Sequence, residues 1–372
     1  MGHIEDEIRE IEQEISETPY NKSTEQHIGR LKAKLAKLRE KREKREQYAG
    51  SGGSSGYDVK KTGHASVGLV GFPSVGKSTL LNTLTNAESE VGSYEFTTLE
   101  VVPGMMAHNN ANIQILDLPG LIHGASVNRG RGKEVISVAR NCDLVCLVVD
   151  PFNPDQLDVI VDELYDSGIR LNENPPRVRL STSRRQGGLD VSFTVEPTHV
   201  DEELAESILD EWGYVNADLV IREDITHDQL VDALAGNRVY QPAVVAINKI
   251  DQADPELVKQ RIGEIEAEGW EVVPISAYEE RNLEALKDLV YQELDLIRIY
   301  LKPQGGDADM EDPLVVRRGS TVGDVCDHLH REMRDRFRYA QVSGDSSEFP
   351  DQRVGLDHQL ADEDILTLIT RK

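Results

Sequence analysis

Gly71-Phe72-Pro73-Ser74-Val75-Gly76-Lys77-Ser78-Thr79 fits the pattern G-x-x-x-x-G-K-[ST], and it lies between Val67-Gly68-Leu69-Val70 and Leu80-Leu81-Asn82-Thr83-Leu84. An apolar run, a glycine-punctuated loop and a second apolar run at helical spacing predict strand, loop and helix. Glycines let such a backbone curl until successive N–H groups face phosphate oxygens, while Lys77 reaches the β and γ phosphates and the Ser78 hydroxyl ligates Mg²⁺. Gly71, Pro73, Ser74, Val75, Gly76, Lys77, Ser78 and Thr79 are therefore the expected nucleotide-binding loop. The motif alone specifies a nucleoside triphosphate and leaves the base open.

The base is specified further along the chain. Ala243-Val244-Val245-Ala246-Ile247 reads as a buried parallel strand and runs into Asn248-Lys249-Ile250-Asp251, an N-K-x-D pattern. The Asp251 carboxylate can accept from guanine N1–H and the exocyclic amine, a donor pair that adenine lacks, and Lys249 can lie along the base plane. A second apolar strand, Trp270 to Ile275, delivers Ser276 and Ala277, where a backbone N–H is expected to meet guanine O6. Between loop and base motif, Ile113-Gln114-Ile115-Leu116 leads to Asp117-Leu118-Pro119-Gly120. There Asp117 is expected to hold Mg²⁺ through water, and the Gly120 N–H to bond the γ-phosphate. Tyr94-Glu95-Phe96-Thr97-Thr98-Leu99 carries the candidate switch threonines, Thr97 and Thr98. Ser78, Thr98 and Asp117 make the expected metal set; Lys77, Thr98 and Gly120 make the catalytic one.

The totals bound the rest. A chain of 372 residues suggests two to three domains with a sizeable core. No apolar run approaches the roughly 20 residues needed to cross a bilayer, and the acidic start Met1-Gly2-His3-Ile4-Glu5-Asp6 lacks a signal-peptide profile. Three cysteines without metal-ligand spacing read as reduced thiols of a cytoplasmic protein. A net charge of −26 would ordinarily argue against nucleic-acid partners, and acids dispersed over every region point instead to adaptation to high intracellular salt.

Residues 1–49 read as a helical hairpin: Ile4, Ile8, Ile11 and Ile15 form one stripe and Ile28, Leu31, Leu35 and Leu38 the other, broken at Thr18-Pro19-Tyr20-Asn21. Its second helix is rich in lysine and arginine, a candidate RNA or ribosome contact set against an ordinary solvated face. Gly50-Ser51-Gly52-Gly53-Ser54-Ser55-Gly56 gives a flexible linker over 50–63, and a nucleotide domain is expected over 64–300. Within it, Arg177 to Val191 reads as a basic β-hairpin turning at Gln186-Gly187-Gly188, and Val200 to Trp212 and His227 to Ala235 as helices. Leu283 to Leu301 reads as one long amphipathic helix closing the domain. A small domain then occupies 301–372, with a helix from Thr321 to about Arg336 and Arg331, Arg334 and Arg338 on one helix face. In the glycine-rich segment after Gly120, Leu121 stands where many GTPases carry the glutamine that orients water, so unaided hydrolysis should be slow. Arg129 and Arg131 are ordinary switch-surface arginines or in-cis charge stabilisers, and His123 a solvated histidine or a base.

The chain resembles the developmentally regulated GTP-binding proteins within the Obg-related GTPases, over nearly its whole length. The residues carrying this are Asn21 to His27 with Leu31 to Arg39, the motifs Gly71 to Ser78, Phe96 to Leu99 and Asp117 to Leu121, and the segments Arg318 to Val322, Asp324 to Cys326 and His358 to Asp364. The resemblance implies an α/β fold: a P-loop GTPase domain with a mostly parallel sheet, an N-terminal helical hairpin, an α+β insert at about 168–240 and a C-terminal β-grasp (TGS) domain. It favours Thr98 over Thr97 and implies a Mg²⁺-dependent GTP hydrolase, binding GTP and GDP, that works as a switch in or near translation. Implied contacts are the ribosome or tRNA through the TGS domain and the basic helix, with a protein cofactor as a further candidate; no membrane contact is expected, and a monomer is favoured with the oligomeric state left open. Some relatives use K⁺, supported by a P-loop asparagine; Ser74 at that place is a departure that counts against K⁺. Further departures are the acidity, the Gly/Ser linker and Ser126-Val127-Asn128.

Overall fold

The computed structural model describes residues 2–19, 24–49, 62–85, 102–118, 131–182 and 188–371. They form two compact units, Met1–Gly56 with Gly168–Tyr240, and Tyr57–Ser167 with Gln241–Lys372. The chain opens with α1 (Gly2–Glu17) and α2 (Glu25–Ala49) and then alternates β1 (Ala65–Val70), α3 (Lys77–Leu84), β2 (Val102–His108), β3 (Ala111–Asp117), α4 (Arg131–Asn141), β4 (Leu144–Val149) and α5 (Gln156–Asp166). The insert follows as β5 (Ile169–Leu171), β6 (Val178–Thr182), β7 (Leu189–Phe193), α6 (Glu202–Trp212), β8 (Ala217–Ile221), α7 (His227–Ala235) and β9 (Val239–Gln241). The first sheet resumes with β10 (Ala243–Ile247), α8 (Pro255–Ala267), β11 (Val272–Pro274) and α9 (Leu283–Glu293). Last come β12 (Leu296–Leu301), β13 (Leu314–Arg317), α10 (Val322–Leu329), α11 (Arg331–Asp335), β14 (Phe337–Ser343), β15 (Gln352–Val354) and β16 (Asp364–Thr370).

Six strands in the order β11-β10-β4-β1-β3-β2 form the nucleotide-domain sheet, parallel except for β2 against β3. Every residue of β1, β4 and β10 is buried, the expected fate of valine-rich strands covered on both faces. The loops leaving β1, β3, β10 and β11 therefore share one sheet edge, the carboxyl edge where open α/β sheets take ligands.

In the other unit, β6 and β7 do not form the expected hairpin. β8 lies between them, antiparallel to β6 and parallel to β7. Leu219 and Ile221 of this central strand are wholly buried beneath Leu204, Ile208 and Leu230, and seating the most apolar strand in the middle explains the order. Nor does the hairpin stand alone: Ala33 and Ala36 of α2 lie in the insert's core, and small side chains permit that close approach. Lys32 bonds Asp228 at 2.7 Å and Lys37 donates to the Glu211 carbonyl, while Lys34 and Arg39 pair with Glu7 and Glu12 of α1.

The C-terminal sheet runs β13-β12-β16-β14-β15 and packs Ile297, Ile299, Ala340, Val342 and Leu366 against Val322, Val325 and Cys326 of α10. Two expectations fail here. The helix expected over Leu283–Leu301 stops at Glu293; Asp295 turns into the left-handed region at φ 51°, and Leu296–Leu301 becomes a strand, so this sheet starts at 296 rather than 301. The helix expected to reach Arg336 breaks at His330, which is extended at φ −169° and ψ 131°. Arg334 then lies on α11 and Arg338 on β14, with no common helix face. Cys142, Cys146 and Cys326 are buried thiols outside any disulfide among the described residues. No helix among the described residues is long and apolar enough to cross a membrane.

Candidate nucleotide site

The loop between β1 and α3 is shaped by what its glycines leave out. A Cβ on Gly71 would stand 2.3 Å from the Val148 carbonyl oxygen. One on Gly76, at φ +98°, would stand 2.3 Å from Asn248 Nδ2. Ser74 holds φ 64° without being glycine, a strained conformation of the kind that clusters at ligand sites. Gly76 caps α3 with no side-chain acceptor, so the first N–H groups of the helix remain available to an anion. Thr79 follows in the first turn.

Lys77 is buried, and its ammonium donates to the Gly71 and Phe72 carbonyls at 2.8 and 3.0 Å. Burial pushes its pKa below the ordinary lysine value, and the Asp117 carboxylate pulls it back up. Ser78 Oγ donates to Asp117 Oδ2 at 2.6 Å, while Oδ1 of the same carboxylate is buried with no hydrogen-bond partner among the described residues. A buried carboxylate oxygen without a donor, beside a hydroxyl, fits a hard divalent cation taking oxygen ligands.

At the base end, Asn248 ties two loops together: Nδ2 donates to the Val75 carbonyl at 2.8 Å and Oδ1 accepts from the Ala277 N–H at 2.9 Å. Of the two backbone N–H groups offered for guanine O6, that of Ala277 is given to Asn248 and that of Ser276 to the Arg281 carbonyl. Lys249 sits in the left-handed region at φ 65°. Asp251 Oδ1 accepts from Ser276 Oγ at 2.6 Å, and that bond holds its carboxyl below the usual carboxylate range.

Gly71, Pro73, Ser74, Val75, Gly76, Lys77, Ser78, Thr79 and Asp117 stand on neighbouring strands of one sheet edge with Asn248, Lys249, Asp251, Ser276 and Ala277. Thr97, Thr98, Gly120, Leu121, His123 and Arg129 lie outside the described residues. A 490 Å³ cavity borders the loop, lined by Phe72, Pro73, Ser74, Asp150, Val159 and Lys249 among others. Sequence reasoning missed Asp150. Its carboxylate accepts from the Phe152 N–H and the Asn153 and Gln156 amides, fixing the turn from β4 to α5 beside Ser74. An acid after an apolar strand is too common to have signalled this.

Family models match in three consecutive blocks: one described as a 50S ribosome-binding GTPase over residues 66–181, the C-terminal region of that domain over 186–296, and a TGS domain over 297–370. A GTP-binding protein of Methanocaldococcus jannaschii is 54% identical over 372 residues, covering 100% of this chain and 94% of that protein. One from Halobacterium salinarum is 47% identical with both chains covered entirely. Developmentally-regulated G-protein 3 of Arabidopsis thaliana is 44% identical, again over 100% of each. With a P-loop GTPase sheet, a TGS domain and full-length identity of this order, the chain belongs to the developmentally regulated GTP-binding protein family.

Proposed function

We propose that the chain hydrolyses GTP to GDP and phosphate, and that the nucleotide state switches its contacts in translation or a ribosome-associated process. The observation that carries the hydrolytic half is the Ser78–Asp117 pair with its one orphaned carboxylate oxygen, beside a buried lysine. Ser78 and Asp117 would hold Mg²⁺, which when bound draws charge off the β and γ phosphates. Lys77 exchanges its two carbonyl partners for phosphate oxygens and orients the triphosphate. Asp251 and Lys249 select guanine; Thr98 and Gly120 are the expected sensors of the γ-phosphate. K⁺ is not part of this reading, because Ser74 replaces the asparagine that supports it in some relatives. The contact with RNA is supported by α2: Lys32, Lys34, Lys37 and Arg39 are occupied within their own unit, whereas Lys41 and Arg45 are exposed towards the end of the helix. The protein is proposed to work in the cytoplasm as a monomer.

Leu121 favours a second reading, a ribosome- or RNA-binding module that holds guanine nucleotide with negligible turnover. Phosphate release measured at high KCl, with and without ribosomes, separates the two. Turnover abolished by Ser78→Ala supports hydrolysis, and no turnover in either condition favours the binding module. Co-sedimentation with ribosomes in a GTP analogue but not in GDP supports the switch; equal sedimentation in both counts against it.

A further inference from the structure

The carboxyl-terminal end of α4 is tied to both places where the chain crosses between its two units. The crossings are Ser167–Gly168, on the way into the insert, and Tyr240–Gln241, on the way out. Gln241 is 4% exposed, and its Nε2 donates to the carbonyls of Ala139, Arg140 and Cys142 at 3.0, 3.3 and 2.5 Å. At the other crossing, Arg140 Nη1 donates to the Ser167 carbonyl at 2.9 Å. The last carbonyls of a helix have no intrahelical donor and are ordinarily met by water or a tightened final turn. Here one buried amide collects them, so a shift of α4 must carry Gln241 along or break from it. Oε1 of the same amide is buried with no hydrogen-bond partner among the described residues. An amide engaged three times at one end and unsatisfied at the other has a second arrangement within reach, in which the helix end moves and Oε1 gains a donor.

Both flanks of this clasp join segments that matter to the switch. On the nucleotide side, Leu118, the residue after Asp117, and Cys142 are both buried and both stand over Gly68. A Cβ built on that glycine would lie 2.9 Å from Leu118 Cδ1 and 3.1 Å from the Cys142 sulfur, so a displacement beside Asp117 is met by packed atoms and not by solvent. On the insert side, the Val239 N–H donates to the Gly168 carbonyl at 3.0 Å, and Arg170 and Arg238, one beside each crossing, share the Asp232 carboxylate of α7. Asp228, one turn earlier on α7, bonds Lys32 of the basic helix α2.

We propose that α4 passes the nucleotide state to the insert through Gln241 and Arg140, which together clasp the two connections. This rests on the reading that the nucleotide state switches the protein's contacts. By linkage, whatever binds the insert must then alter nucleotide affinity by the same factor that the nucleotide alters its own. Amide exchange of the full-length protein is followed by mass spectrometry with Mg²⁺ and either GDP or β,γ-imido GTP. In the wild type, α4 and the strands β5 and β9 should each exchange at rates that differ by about fivefold or more between the two nucleotides. Gln241→Leu keeps the bulk and loses the amide. It should bring the ratio at β5 and β9 to about one, while α4 keeps its own difference and GDP affinity stays within about twofold of wild type. Should that variant fail to fold, Arg140→Ala decides, and it should lower the ratio at β5 without lowering that at α4. A wild-type ratio that persists at β9 in Gln241→Leu or at β5 in Arg140→Ala overturns the proposal. So does a wild type in which α4 responds to the nucleotide and β5 and β9 do not; in both cases the switch reading stands. If α4 itself exchanges alike in the two nucleotides, the switch reading falls and the clasp falls with it.

Discussion

Gly76 shows how one missing atom holds the site together. Its positive φ and the 2.3 Å separation between a built Cβ and Asn248 Nδ2 mean that Gly76→Ala must displace the amide that also anchors Val75 and Ala277. The variant should lose both loop and base contacts, read as GDP affinity reduced by 100-fold or more, on the order of 3 kcal/mol. Lys77 gives a pH signature whose sign follows from its burial. Its pKa in the free protein is depressed, and phosphates beside the ammonium favour the charged form, so binding raises it. Between the two values, on the alkaline side and below the usual lysine range, binding must take up a proton. Affinity should therefore fall as pH rises through the free-protein value. Calorimetry of GDP binding in buffers of different ionisation enthalpy should read net uptake there, and no uptake would contradict the placement of Lys77 against phosphate.

Among the elements, α7 and the strands flanking the insert depend on a buried ion cluster. Asp232, 6% exposed, accepts from Arg170, itself 2% exposed, at 2.5 and 2.8 Å, and from Arg238 at 2.7 Å. Removing the shared carboxylate leaves guanidinium charge in a dry site. Asp232→Ala should destabilise its unit by about 3–5 kcal/mol in urea unfolding, whereas Arg177→Ala, at an exposed pair 3.8 Å apart, should change stability by under about 1 kcal/mol. What the sequence revealed at this scale tracks the strength of its local signals. β1, β4 and β10 were legible because a fully buried parallel strand is an unbroken apolar run. The positions of the Gly71–Thr79 and Asn248–Asp251 segments were legible because each follows directly on one of those apolar runs. β12 was not, since Leu283, Leu286, Val290 and Leu294 continue at helical spacing into Ile297 and Leu301, and only the positive φ at Asp295 interrupts them. The pairing of β6 and β7 was misread because nothing near Gln186 announces that β8, beyond α6, will separate them. The engagement of the Ala277 N–H by Asn248 is a tertiary fact that neither segment carries.

For the whole chain the dominant number is the charge of −26. Self-repulsion on that scale opposes compaction and is screened over about 3 Å at 1 M salt. Thermal melting should shift upward as KCl is raised into the molar range, and a midpoint indifferent to KCl would remove the case for salt adaptation. The join between α9 and β12 bears on how this half of the molecule can be divided. Only Leu294 and Asp295 separate the two elements. Asp295 is clasped by Arg318 through both backbone and side chain, and Leu296 and Val315 of the C-terminal sheet share an apolar cluster with Val67, Leu144 and Val244. A protease would find no tether to nick at this join, so limited digestion should release no stable GTPase fragment ending near 295. A stop codon after Tyr300 should give an insoluble product, because it strands β12 without the neighbours that bury it. The TGS module is in that sense welded to the nucleotide domain, and a jolt delivered to α9 has no slack in which to dissipate before it reaches the far sheet.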